Sequence, residues 1–211
     1  MNGIAEIKEE ICRIGRRMYE RRMVASNDGN ISVRLSDGTI LCTPTGVSKG
    51  FMTADMICHM NMDGTVREEN AKGFRPSSEM KMHLRVYQER PDVGAVVHAH
   101  PVFATTFAVA RKPLKAPITA ESVMFLGEVP VTSFAAPSTE EVPESIVPFV
   151  KEHNAMLLAN HGALTFDRDL LSAYHKMEAV EFYAELLYRS GYAGTPVELT
   201  AEEKEKILGL V

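Results

Sequence analysis

The chain has 211 residues, a formal net charge of −5, 45% apolar and 24% charged residues. That composition is typical of a soluble globular protein with one sizeable core, so a single domain over residues 1–211 is expected. The acidic balance argues against nucleic-acid binding and no run is long enough to span a membrane. Met1 to Glu10 carries three glutamates and no apolar signal core. A cytoplasmic protein with neither a nucleic-acid nor a membrane partner is expected. Cys12, Cys42 and Cys58 lack metal-ligand spacing and read as reduced, packed thiols.

Ile4, Ile7, Ile11, Ile14 and Met18 recur every three or four residues, which predicts an amphipathic helix over Ile4 to Met23. Its basic residues Arg16-Arg17 and Arg21-Arg22 read as a solvated or subunit-facing stripe. The polar cluster Ser26-Asn27-Asp28-Gly29-Asn30 must turn. Ile31 to Leu35 then alternates as a strand, and Ser36-Asp37-Gly38 makes a hairpin into Thr39 to Cys42. Thr43-Pro44-Thr45-Gly46 forms a tight hydroxyl-bearing loop, with Lys49 beyond it expected at the surface or steering anions. A short strand follows over Met56 to Met62.

Pro76-Ser77-Ser78 opens the next helix with a serine N-cap, and Arg90-Pro91 stops it. Glu79 is expected in the first turn, with His83 one turn above on the same face. Gly94 to Val97 reads as a strand running into His98-Ala99-His100, and Val102 to Val109 as a short helix. Glu121 to Pro137 suggests strand-like segments interrupted by Gly127 and Pro130. Glu140 to Glu152 reads as a helix bent at its prolines, and Ala155 to Ala159 as a buried strand leading to Asn160-His161-Gly162. Leu170 to Tyr188 is the longest helix, and Ala201 to Leu208 a short charged one. Hairpin-linked strands covered by helices predict an α/β fold with an antiparallel-rich sheet, without the glycine signature of a dinucleotide fold.

Side chains two apart on a strand share a face, so His98 and His100 can chelate one metal ion. Alone, the pair reads equally as two partly exposed histidines. His161, also at a strand end, could converge with them if the strands are neighbours. Glu79 is the carboxylate best placed to complete a Zn²⁺ site, and His83 a partner behind the ligands. His59, His153 and His175 are weaker candidates.

Gly29-Asn30-Ile31-Ser32, Thr43-Pro44-Thr45-Gly46, Pro76-Ser77-Ser78-Glu79 with His83, His98-Ala99-His100 and Asn160-His161-Gly162 occur in this order. Together they resemble the class II aldolase/adducin family, nearest its bacterial fuculose-phosphate aldolases. The resemblance implies an α/β/α sandwich with a mostly antiparallel central sheet. It also implies a C4 homotetramer with the active site near a subunit interface. By that resemblance His98, His100 and His161 bind Zn²⁺, or another divalent transition metal. Glu79 is then both a labile ligand and the acid/base. Gly29, Asn30, Thr45, Gly46, Ser77 and Ser78 match a pocket for the substrate phosphate, a kind of site that backbone N–H groups and hydroxyls can build. The implied activity is a zinc-dependent lyase of carbohydrate metabolism. It would cleave a ketose 1-phosphate, similar to L-fuculose 1-phosphate, into dihydroxyacetone phosphate and a small aldehyde such as lactaldehyde.

Those aldolases use a tyrosine toward the aldehyde. Ala110 to Pro137 contains none, which leaves Glu121 as the expected substitute acid. Family relatives with other chemistry are sugar-phosphate dehydratases, decarboxylases and epimerases. The epimerases carry Asp where this chain has Glu79. Non-catalytic adducin-like binding domains have lost the metal histidines that this chain keeps.

Overall fold

The structure, a computed structural model, describes residues 3–210. In chain order it contains α1 (Ile4–Glu20), β1 (Asn30–Arg34), β2 (Ile40–Cys42), β3 (Cys58–Met60) and β4 (Val66–Glu68). Then come α2 (Met80–Glu89), β5 (Ala95–Ala99), α3 (Val102–Val109), α4 (Glu141–Val150), β6 (Ala155–Leu158) and β7 (Gly162–Asp167). α5 (Leu170–Ala193) and α6 (Ala201–Leu208) complete it. The strands form a seven-stranded sheet in the order β4-β3-β2-β1-β5-β7-β6, with every neighbouring pair antiparallel.

Alternation along the central strands divides the interior into two cores. Ala95, Val97 and Ala99 of β5 pack with Ile11, Ile14 and Met18 of α1 and with Tyr174, Met177 and Val180 of α5. Val96 faces the other way, among Met80 and Tyr87 of α2 and Ile146 of α4. Helices therefore cover both faces, and side chains of this size contribute about 1.5–3 kcal/mol each when fully buried. This is the expected helix–sheet–helix arrangement. Among the described residues no helix is long and apolar enough to cross a membrane.

Several local expectations are revised. α1 ends at Glu20 rather than Met23, because the chain turns through Arg22 at φ 59°. Arg17 and Arg21 are not wholly solvated: both pair with Glu178 of α5, at 3.3 and 3.1 Å. Glu121 to Pro137 forms no named strand. It holds one π-helical turn, Ser122–Leu126, and joins the sheet through one isolated bridge, Val131 to Leu157. Pro130 and Pro137 lack the N–H a ladder needs, and Gly127 at φ 63° turns the chain out of line. β7, unanticipated as a strand, lies between β5 and β6 and is buried on both faces, so it lacks the polar alternation of a half-exposed strand. β4 is an exposed edge strand.

α2 begins at Met80, and no serine side chain caps it. Glu79 occupies the N-cap position at φ −87° and ψ 3°, one step outside the first turn. The cause lies upstream, where a strap joins two loops. Thr45 N–H donates to the Arg75 carbonyl at 2.9 Å, and Ser77 N–H to the Thr43 carbonyl at 3.2 Å. These bonds seat the Thr43–Gly46 loop beside Ser77 and Ser78 and fix the angle at which α2 is entered.

At Gly162 the sheet comes too close for a side chain. A Cβ there would meet the Ala99 carbonyl oxygen at 2.4 Å and His100 Cδ2 at 2.5 Å. The carbonyl belongs to a paired central strand and cannot yield. Gly162→Ala should lower unfolding free energy by about 1–3 kcal/mol, read from urea unfolding midpoints at unchanged slope.

Candidate active site

Register along β1, β5 and β7 builds the site. Asn30 pairs with His98, His98 with Leu164, and Ala99 with Ala163. His98 therefore stands mid-sheet on the face covered by α2, and is fully buried. His161 sits in the turn between β6 and β7. Because β7 is the strand beside β5, its ring reaches the other two. Ring centroids of His98, His100 and His161 are 4.7–4.9 Å apart. One nitrogen from each lies within 4.8 Å of the others, so the three could hold a metal ion.

Hydrogen bonding settles which nitrogens face inward. His98 Nδ1 lies 2.9 Å from the Ala163 carbonyl, and His100 Nδ1 3.3 Å from Asp28 Oδ2. A carbonyl and a carboxylate only accept, so in the neutral rings both Nδ1 atoms carry protons and both Nε2 atoms carry lone pairs. Those two Nε2 atoms are 3.1 Å apart. Facing lone pairs at that distance repel unless a cation lies between them. Glu79 supplies a fourth corner, with Oε2 3.5 Å from His98 Nε2 and Oε1 3.4 Å from His161 Nε2. Tetrahedral Zn²⁺ with bonds of about 2.0–2.1 Å spaces its ligand atoms ~3.4 Å apart, so this donor set fits such an ion. Burial holds both His98 and His161 below the ordinary histidine range. At His98 the neighbouring rings add to the effect, and at His161 the Glu79 charge opposes it.

The six residues expected at the phosphate lie together. Gly29, Asn30, Thr45, Gly46, Ser77 and Ser78 line a cavity of about 200 Å³, and Glu79, His100 and His161 form its inner wall. Asn30 Nδ2 donates to Glu79 Oε2 at 2.7 Å. A larger cavity of about 580 Å³ between α2 and α4 contains none of the histidines. Its charged rim pairs internally, through Lys81–Glu140 and Arg85–Glu144.

Two lining residues were not anticipated in the sequence. Asp28 orients His100, and Ser138 meets Ser78 at 2.9 Å. Lys49, expected at the surface or steering anions, is not at the surface: it is 1% exposed and lines the cavity. Its ammonium donates to the carbonyls of Asn27 and Val47 at 2.8 and 2.7 Å, and burial pushes its pKa down to about 8. The available signal was Gly15, a buried glycine inside α1. A Cβ there would meet the Lys49 carbonyl at 2.8 Å, so the missing side chain lets this segment dock on the helix. Glu121, in contrast, is not brought to the cavity of its own chain. It is exposed and heads the turn Ser122–Leu126, which packs on α5 and α6.

The profile of the family described as "Class II Aldolase and Adducin N-terminal domain" matches residues 9–188. The chain belongs to this family. It is a lyase of the class II aldolase group. Among its relatives, the L-fuculose phosphate aldolase of Methanococcus maripaludis is 34% identical over 180 residues, 85% of this chain and 94% of that protein. The 3-oxo-tetronate 4-phosphate decarboxylase of Haemophilus influenzae is 33% identical over 192 residues, 89% of each chain. A solved L-fuculose 1-phosphate aldolase superposes with a TM-score of 0.88 at 32% identity, over 97% of this chain and 95% of that one.

If the histidines hold one metal ion, elemental analysis of the purified protein should find one divalent ion per chain. His98→Ala and His161→Ala should lose it, and metal retained at full stoichiometry in both would exclude this donor set.

Proposed function

We propose that residues 1–211 work as a single catalytic domain, a metal-dependent aldolase that reversibly cleaves a ketose 1-phosphate. The products are dihydroxyacetone phosphate and a small aldehyde, with L-fuculose 1-phosphate as the reference substrate. The observation that carries this reading is adjacency: Glu79, His100 and His161 of a three-histidine, one-carboxylate cluster form the inner wall of a cavity lined by hydroxyls and loop backbone, with His98 buried beside them. His98, His100, His161 and Glu79 would hold the metal. Imidazole and carboxylate suit Zn²⁺ best and accept other divalent transition metals. When bound, the ion supplies Lewis acidity to the substrate carbonyl.

This chain's own residues do the rest. Thr45, Ser77 and Ser78 offer hydroxyls to the phosphate, Gly29 and Gly46 let backbone approach it, and Lys49 lies behind with its charge. In cleavage, Glu79 takes the proton of the C4 hydroxyl, which becomes the aldehyde, while the electron pair of the C3–C4 bond passes into an enediolate at C2–C3. Glu79 then delivers a proton to C3 and releases dihydroxyacetone phosphate. A homotetramer with the site near a subunit interface belongs to this reading. Glu121 enters it only as a residue offered to a neighbouring copy.

A second reading has specific support from the decarboxylase relatives. In a 3-oxo-tetronate 4-phosphate, the carboxylate is attached to the carbon beside the carbonyl. Loss of CO₂ leaves the same enediolate, and its protonation again gives dihydroxyacetone phosphate. The two reactions differ only in the fragment that departs. The deciding experiment assays the metal-loaded protein with ketose 1-phosphates and with 3-oxo-tetronate 4-phosphate, measuring dihydroxyacetone phosphate, aldehyde and CO₂ separately. Aldehyde in stoichiometric yield supports the aldolase. CO₂ alone replaces it with the decarboxylase, and water loss or epimerisation without dihydroxyacetone phosphate rejects both.

Two variants probe the parts. A hydrogen bond to a charged group is worth about 1.5–3 kcal/mol, so Ser78→Ala should weaken phosphorylated ligands about tenfold or more and leave unphosphorylated sugars unaffected in calorimetry. Glu79→Gln should abolish exchange of the C3 hydrogen of dihydroxyacetone phosphate with deuterated water, followed by NMR.

A further inference from the structure

Glu79, His83 and Tyr87 are spaced four apart at the start of α2 and along it, while Asn30 and Ser32 are two apart on β1. Four helical residues rise about 6 Å and two strand residues about 6.7 Å, so the two rows can run side by side in step. In the structure they interlock. Asn30 Nδ2 reaches Glu79 Oε2 at 2.7 Å, and Asn30 Oδ1 meets His83 Nε2 at 2.6 Å. His83 Nδ1 meets Ser32 Oγ at 2.7 Å, and Ser32 Oγ meets Tyr87 Oη at 2.8 Å. Asn30, Ser32, His83 and Tyr87 are all buried.

Every proton in this chain has one possible place. An ionised Glu79 only accepts, so Asn30 must turn its amide N–H toward it. The Asn30 oxygen then faces His83 Nε2, which must carry the hydrogen. His83 Nδ1 is left with a lone pair and takes the Ser32 hydroxyl proton, so the Ser32 oxygen accepts from Tyr87. All donors point toward Glu79. A reversed Asn30 amide would set an oxygen against the carboxylate at 2.7 Å. Burial depresses His83 to about 3, so the ring stays neutral at working pH and can occupy this place throughout.

We infer that His83 is a positioning residue for the proton-transferring carboxylate: through Asn30 it pins Glu79 Oε2 and leaves Oε1 as the oxygen that carries the proton. His83 touches neither substrate nor the histidine cluster and acts only through the Asn30 amide. Tyr87 and Ser32 keep its ring in the required tautomer. Catalytic geometry is set here by a neutral, water-excluded donor chain, in which each bond strengthens the next. This rests on the role proposed above for Glu79.

The test has two independent arms. In the metal-loaded wild-type protein, the ¹⁵N resonances of the His83 ring should show the Nε2–H tautomer, unchanged from about pH 5 to 9. An Nδ1–H tautomer or a charged ring in that range overturns the inference, whatever reaction the enzyme proves to catalyse. In the second arm, His83→Leu removes the donor to Asn30, whereas His83→Gln can restore it with an amide N–H. Counted per folded, metal-containing chain, kcat for the proton exchange should fall about 10- to 100-fold in His83→Leu, with KM within about twofold of wild type. His83→Gln should recover most of the rate. Equal kcat in Leu and wild type, or losses that follow folded fraction alone in both variants, overturns it. If His83→Leu does not fold, the tautomer and the His83→Gln rate still decide. A wild-type protein without any exchange refutes the proposed reaction, and the tautomer arm still judges the donor chain.

Discussion

His98 is a fully buried imidazole near the end of a central strand, and the site is arranged around the need to satisfy both of its nitrogens. One is met inside the sheet, by the Ala163 carbonyl of the adjacent strand. The other must then face the cluster formed by His100, His161 and Glu79. That requirement depends on β7 lying beside β5, and on Gly162 bringing the two backbones closer than any side chain would allow. A neutral imidazole held this way would be a rigid ligand whose orientation does not have to be selected when an ion arrives, which is the usual role of groups behind a metal ligand.

The second organising element is the strap between the Thr43–Gly46 loop and the approach to α2. It sets hydroxyls and loop backbone around one end of the cavity while it fixes Glu79 at the other. The cavity is neutralised sparingly. Lys49 is the only lysine or arginine among its described lining residues, and both of its assigned hydrogen bonds go to backbone carbonyls rather than to a carboxylate. A charge held in low dielectric acts more strongly on an incoming anion than the same charge in water. Few cations are therefore needed, and Glu79, the proposed proton carrier, is not tied up in an ion pair with a lysine.

Relatives named as aldolases and as decarboxylases match this chain at comparable identity, and under the proposed reaction its residues would act on one side of the breaking bond. An electron sink at the carbonyl and a proton donor at the adjacent carbon serve any substrate that collapses to the same enediolate. The departing group is met by whatever surrounds the cavity mouth. In this chain no tyrosine lies between Ala110 and Pro137, and Glu121 lies elsewhere on the surface.

Much of the fold was legible in the sequence, because periodic burial leaves a periodic pattern. α1, α2, α5, α6 and the β1–β2 hairpin follow from the spacing of Ile, Leu and Met and from the turn at Asp37-Gly38. The histidine pair was legible too, since two residues on one strand share a face whatever surrounds them. The sequence did not show β7 as a strand, because a segment buried on both faces loses the polar alternation that marks a half-exposed one. It placed Glu79 inside a helical turn, where the strap to Thr43 and Thr45 holds it one step outside. It left Lys49 either at the surface or steering anions, because the docking of its segment against Gly15 is a contact between distant parts of the chain. Local chemistry thus determined which residues could bind a metal or an anion. Strand order, close backbone approach and the register of α2 on β1 decided which of them meet, because each depends on contacts between segments far apart in the chain.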